Sequence, residues 1–193
     1  MKYELIVIGT SLGGLDALRT ILTELPKRFP VPIAVVQHRD KDSDETFVRI
    51  LQIKCNLIVN EAHDKDILRS GFVYLAPADY HLLVEDDHLC LTIDPPVQFS
   101  RPSIDVLFES AARAKKERLI GIILTGANSD GAQGLAAVKA RGGYALVQDP
   151  KTAEASGMPE AAIAACRVDQ VAPPDKIAKV IKGLIYKKKG NVL

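Results

Sequence analysis

The sequence predicts one α/β domain, a mainly parallel β-sheet covered by helices, with a small antiparallel β-element inserted. Three observations carry this. Short apolar, β-branched runs recur at Leu5–Ile8, Ile33–Val36, Leu57–Val59, Leu119–Leu124 and Tyr144–Val147, and continuous apolar runs mark strands buried on both faces. Most alternate with longer helical patterns at Leu15–Leu25, Asp44–Leu51, Ile104–Ala114 and Ala132–Ala140, and such alternation implies parallel strands joined across helices. At 193 residues, with no repeat, low-complexity tract or linker, residues 1–193 read as a single domain.

The first strand runs into Gly9-x-Ser11-x-Gly13, followed at once by Gly14, and a helix begins near Gly13. Glycines around such a turn let the backbone bend sharply and present a serine hydroxyl clear of the sheet edge. The helix start adds unsatisfied amides and a positive dipole end, which favour a developing oxyanion. A phosphate-cradling turn is the competing reading. It is weakened because no Gly-Lys-Ser/Thr follows and the glycine spacing is not Gly-x-Gly-x-x-Gly.

The middle of the chain departs from the strand–helix rhythm. Phe72–Leu75, His81–Glu85 and Leu89–Ile93 are separated by Pro77-Ala78-Asp79 and Asp86-Asp87-His88, which reads as an antiparallel hairpin or meander. Asp94–Ser100 carries two prolines and is expected to be a surface loop, ending at Arg101-Pro102-Ser103, a helix start. The tail from Pro173 to Lys189 reads as an amphipathic closing helix, with Lys187-Lys188-Lys189 a solvated terminus.

Composition excludes several function classes. Net charge is +1, which gives no electrostatic bias towards nucleic acid or anionic membrane. The three cysteines, Cys55, Cys90 and Cys166, are odd in number, far apart and without a Cys-x-x-Cys, so neither a disulfide framework nor a zinc site is suggested. Without a signal peptide or a membrane-length apolar run, a soluble cytoplasmic protein is expected. No cofactor and no metal are expected. Asp79, His81 and His88 lack metal-ligand spacing and read as turn residues.

In open parallel sheets, ligands bind beyond the carboxyl ends of the strands. Three such ends carry polar residues: Gly9-Thr10-Ser11, then Gln37-His38, then Thr125-Gly126 with Asp130 four residues on. Serine, histidine and aspartate at three strand ends can form a hydrolytic triad, recognised by geometry rather than chain order. Singly, each has a plainer reading. His38 could be a satisfied histidine at a sheet edge, and Asp130 could cap the helix that follows it. Thr125 and Asn128 could shape the aspartate turn, and Met158-Pro159 reads as a packing and turn feature.

Six separated segments resemble the catalytic domain of the CheB family, the chemotaxis protein-glutamate methylesterases. They are IVIGTSLGGLDAL, VVQHRD, GFVYLAPADYHLLVE, RPSIDVLFESAA, GIILTGANSDGAQGLAAVKARGG and GMPEAAI, in order from Ile6 to about Ile163. The resemblance implies a doubly wound sheet with a small antiparallel hairpin. It implies Ser11 as nucleophile, His38 as general base and acid, and Asp130 as the carboxylate that orients the histidine. It further implies backbone oxyanion donors near Leu12 and Ala127, and a substrate-side place for Thr10 and for Ser103. A glutamyl methyl ester on a chemoreceptor is the implied substrate, with deamidation of receptor glutamines in some members.

The chain departs from the family pattern at Leu12, at Ala127 and at Arg39-Asp40 after His38. A backbone donor survives the first two changes, and Arg39 is expected to alter the substrate rim. Because the chain opens on the catalytic strand, no linked receiver domain is expected, and phosphorylation control would need a separate receiver protein. Two other functions fit the same residues. One is a binding or scaffold protein on a degenerate fold of this family, and the other is a serine hydrolase of an unrelated ester or amide.

Overall fold

Successive side chains of the first strand enter two different apolar layers, and this alternation builds the molecule. In the computed structural model, which describes residues 2–186, Leu5 and Val7 join one buried cluster while Ile6 and Ile8 join the other. That is the period-2 geometry of a strand covered on both faces. The elements are, in order, β1 (Leu5–Thr10), α1 (Gly14–Leu22), β2 (Ile33–Gln37), α2 (Thr46–Gln52), β3 (Ile58–Glu61) and β4 (Phe72–Leu75). They continue with β5 (His81–Glu85), β6 (His88–Thr92), α3 (Ile104–Lys115), β7 (Leu119–Ile123), α4 (Ala132–Ala140) and β8 (Tyr144–Gln148). The last are α5 (Gly157–Ala165), β9 (Gln170–Ala172) and α6 (Pro174–Tyr186).

The main sheet has seven strands in the order β3-β4-β2-β1-β7-β8-β9, every pair parallel. One cluster packs α1, α2 and α6 on the face of Ile6 and Ile8, through residues such as Leu18, Leu51 and Ile181. The other packs α3, α4, α5 and the β5–β6 hairpin on the face of Leu5 and Val7, through Leu107, Phe108, Leu135, Met158 and Leu82. From β1 the order runs outward through β2 on one side and through β7 on the other. The switch point therefore lies at the end of β1, where crevices for ligands open in sheets of this kind.

The structure corrects the reading of the middle segment. Only β5 and β6 pair antiparallel. Phe72–Leu75, read as part of the same meander, is a parallel strand of the main sheet between β3 and β2. Its Val73, Tyr74 and Leu75 are buried, as an interior position demands. The rhythm broke because β3 connects to β4 through Ala62–Gly71 without a helix. Two elements gave no clear signal in the sequence, the helix α5 around Met158-Pro159 and the three-residue β9. The closing helix is described to Tyr186, and Lys187-Lys188-Lys189 lies outside the described residues. Among the described residues, no helix is long and apolar enough to cross a membrane.

Candidate active site

Adjacent β1 and β2 end with Thr10 opposite Gln37, so the residues that follow, Ser11 and His38, leave the sheet side by side. The His38 N–H donates to the Thr10 carbonyl at 3.0 Å. The Gln37 side chain spans the gap, its Nε2 donating to the carbonyls of Ser11 and His38, both at 2.8 Å. On the other flank, the Ser11 N–H donates to the Thr125 carbonyl at 2.9 Å, which ties the serine to the end of β7. Gly126 permits this closeness. A Cβ there would overlap Met158 Sδ and stand 3.0 Å from Ser11 Cβ.

After Ser11 the chain turns through Gly13, at φ 78°, into α1. A glycine takes that left-handed conformation without strain. Leu12 is 55 % exposed and its carbonyl accepts a hydrogen bond from Thr125 Oγ1 at 2.8 Å. Among the described hydrogen bonds, the N–H groups of Leu12 and Ala127 donate to no protein acceptor, so both amides remain available to an incoming oxyanion.

The carboxylate side is built differently. Asp130 is buried and accepts four hydrogen bonds: His38 Nε2 at 2.8 Å, Ser103 Oγ at 2.9 Å, and the N–H groups of Ile104 at 2.7 Å and Asp105 at 3.0 Å. The two amides belong to the first turn of α3, whose N-cap Ser103 makes no capping bond of its own. Asp130 thus caps a helix, but α3 rather than the α4 that follows it. Burial alone would raise its carboxyl, but the bonds from His38, Asp105 and Ile104 outweigh burial and hold it below the ordinary aspartate value.

An ionised Asp130 fixes the tautomer of His38. With Nε2–H donated to Asp130, Nδ1 carries the lone pair, and it faces the Asn128 amide at a long 3.4 Å. Nδ1 is therefore the nitrogen left for the serine proton. None of the described hydrogen bonds joins Ser11 Oγ to His38. The two residues line one open cavity of about 410 Å³, together with Leu12, Gly13 and Phe47. Catalytic hydrogen bonds of this type often close only when substrate is present.

Ser103 is fully buried and donates its hydroxyl to Asp130, where it supports the carboxylate. Thr10 is likewise buried, its Oγ1 donating to the Thr125 carbonyl at 2.9 Å. Arg39 borders the cavity that opens beside His38. Its side chain is 6 % exposed, paired with Glu61, and donates to the Ala76 carbonyl at 2.9 Å. Thr125 and Asn128 do shape the aspartate turn, the latter accepting the Asp130 N–H at 3.2 Å. Asp79 pairs with Arg101 at 2.6 Å, and His81 is buried with its Nδ1 accepting the Ser103 N–H at 3.1 Å. Among the described residues no cluster could hold a metal ion.

A second cavity of about 470 Å³ opens on the other side of His38, lined by Phe99, Arg101 and Pro102. Another cavity, of about 820 Å³, lies at the opposite end of the strands around Glu4, Lys115 and Arg118. Four of its charges pair with one another, Lys115 with Asp87 and Arg118 with Glu4.

A family model described as CheB methylesterase matches residues 6–181. The chain is 53% identical over 181 residues to a putative protein-glutamate methylesterase/protein-glutamine glutaminase of Leptospira interrogans, covering 93% of this chain and 94% of that protein. It is 42% identical to a protein-glutamate methylesterase/protein-glutamine glutaminase of Anaeromyxobacter dehalogenans, covering 95% of this chain but 54% of that protein. Among solved structures, the catalytic domain of the Thermotoga maritima CheB methylesterase superposes with a TM-score of 0.91 at 34% identity, covering 96% of this chain and all of that one.

Proposed function

The chain belongs to the CheB methylesterase family, and we propose that it hydrolyses glutamyl methyl esters on a chemoreceptor or another methylated sensory protein, with Ser11, His38 and Asp130 as its working residues. The observation that carries the reading is the Asp130–His38 pair, joined at 2.8 Å, whose His38 shares one open cavity with Ser11 just before a helix N-terminus. Ser11 Oγ attacks the ester carbonyl carbon while His38 Nδ1 takes its proton. Negative charge builds on the carbonyl oxygen, where the amides of Leu12 and Ala127 meet it. His38 then returns the proton to the leaving methoxide, and methanol departs. Water, deprotonated by the same nitrogen, opens the acyl-enzyme and leaves a glutamate carboxylate on the substrate and a free Ser11.

The same steps serve a primary amide, with ammonia as leaving group, so deamidation of receptor glutamines is part of the proposal. The cavity at Ser11 is open, which suits a side chain presented by a folded protein. The proposed setting is cytoplasmic. One domain over residues 1–193 is proposed to suffice for turnover, with a separate receiver protein as a possible regulator in trans. The test is release of methanol from a methylated receptor fragment by the purified chain, without a phosphodonor. Release that disappears in Ser11→Ala is the expected result. No release from the receptor, combined with hydrolysis of a small ester by Ser11, would assign the enzyme to another ester.

A further inference from the structure

Asp105 stands in the first turn of α3 with 4 % of its surface exposed, and no step of the reaction above uses it. Its Oδ1 accepts the Gly134 N–H of α4 at 2.6 Å, and its Oδ2 accepts Gln98 Nε2 at 2.9 Å. Its own N–H is one of the donors that hold Asp130. The two helices thus exchange carboxylates. Asp130, just before α4, satisfies the first amides of α3, and Asp105, on α3, satisfies an amide in the first turn of α4. Neither helix N-terminus has a side-chain cap from its own N-cap residue. The exchange requires close contact, and Gly134 provides it. A Cβ there would stand 2.6 Å from Phe108 Cβ and 3.0 Å from Asp105 Cα.

We propose that Asp105 is a positioning residue for the Asp130–His38 pair. Its carboxylate pins the start of α4, and with it the Asp130 segment, at the depth where Asp130 reaches His38. Through Gln98, which also accepts a hydrogen bond from Ser129 Oγ at 3.3 Å, it fixes the Val97–Ser100 turn. That turn carries Phe99 to the edge of the second cavity beside His38. The inference rests on reading Asp130 and His38 as the working pair.

Charge adds a second strand to the argument. Burial first, and the neighbouring Asp130 charge with it, push the Asp105 carboxyl up to about 6, against the pull of the Gly134 amide. The other charged groups near it are Glu109 on α3 and, beyond Asp130, His38. His81 of β5 meets α3 through Ser103. β1 and β7 carry no ionisable side chain, and the one charge of α4, Lys139, pairs with Asp169. Once ionised, Asp105 deepens the negative field that favours the His38 imidazolium formed during attack.

The test uses the full chain, p-nitrophenyl acetate as the ester, and NMR titration of the His38 ring. Asp105→Ala is expected to lower kcat about 100-fold, the scale of a 1 Å misplacement, with KM for this small ester within about twofold. Asp105→Asn keeps an acceptor for Gly134 and an amide able to pair with Gln98. It is expected to restore kcat to within about threefold of wild type, yet to lower the midpoint of His38 protonation by about half a pH unit. A purely structural role would leave that midpoint where it was. A folded Asp105→Ala with wild-type kcat, or an Asp105→Asn with an unmoved His38 midpoint, would overturn the proposal. If Asp105→Ala does not fold, the Asp105→Asn midpoint decides alone. Neither readout involves a receptor, so failure to release methanol from one would count against the proposed substrate and not against Asp105.

Discussion

The two halves of the site are held to very different degrees. Around Asp130, four hydrogen bonds converge on one buried carboxylate, and every donor sits on a packed element or is anchored to one. Around Ser11 the backbone is fixed by Thr125 and Gln37, but the hydroxyl has no partner among the described hydrogen bonds, and the cavity is open to solvent. The difference follows from what each group does in the proposed reaction. The carboxylate keeps one charge and one orientation throughout, so a rigid, fully satisfied setting serves it. The serine forms and breaks a covalent bond and passes its proton twice, so it must be reachable and free of competing bonds. His38 joins the halves, with Nε2 in the fixed one and Nδ1, held only at 3.4 Å by Asn128, in the open one.

Breaking the open half at its centre gives the largest effect. Ser11→Ala removes the nucleophile from a half-exposed turn and is expected to abolish turnover while thermal stability stays within about 0.5 kcal/mol of wild type. Ester hydrolysis at the wild-type rate by this variant would place the nucleophile elsewhere.

The link between the halves comes next. His38→Gln and Asp130→Asn are each expected to lower kcat by roughly 10³–10⁴, and the double variant by no more than the worse single one, because the residues act as a unit. Additive losses in that cycle would show two independent contributions. Asp130→Asn also has a stability signature. The Asp130 carboxyl is held below its ordinary value, so the stability it contributes is present above the unfolded aspartate value, about 4, and is lost as pH falls through the lower folded value. Acid unfolding measured by circular dichroism should therefore be less steep below about pH 4 in Asp130→Asn. An identical acid limb would contradict the charge assigned to Asp130.

A partial break of the fixed half is milder. Ser103→Ala deletes one charge-assisted bond to Asp130 and is expected to cost about 1.5–3 kcal/mol of stability, seen as a lower denaturation midpoint. If Ser103 contacted substrate instead, the same change would raise KM and leave the midpoint alone. The smallest effect belongs to Leu12→Ala, which retains the backbone amide. It is expected to leave kcat on p-nitrophenyl acetate within about threefold, since only the N–H meets the oxyanion. A loss of hundreds-fold would make the side chain, and not the amide, the working part.

The sequence announced the open half more clearly than the fixed one. Glycine spacing around Ser11 and the strand-end positions of His38 and Asp130 are local patterns, visible because turns and apolar runs have local causes. The partners of Asp130 are not local. Ser103, Ile104 and Asp105 lie more than twenty residues away, and only the packing of α3 on α4 brings them in. Ser103 and Thr10 were legible as polar residues near the site but not as buried ones, since burial depends on the covering elements. The pairing of Arg39 was not legible for the same reason, since its partner Glu61 comes from a distant strand. In the fold, β4 reads as part of the hairpin because its connection lacks the helix that marks a parallel crossover. The short β9 and the Ala-rich α5 carry too weak a periodicity to be read before they are packed.

The central claim is that His38, oriented by Asp130, activates Ser11. Mass spectrometry of the intact chain and its peptides after exposure to a fluorophosphonate tests it most directly. One adduct per chain, mapped to Ser11 and formed at least about 100-fold more slowly in His38→Gln, is the predicted result. An adduct on another residue, or labelling of Ser11 at an equal rate without His38, would contradict it.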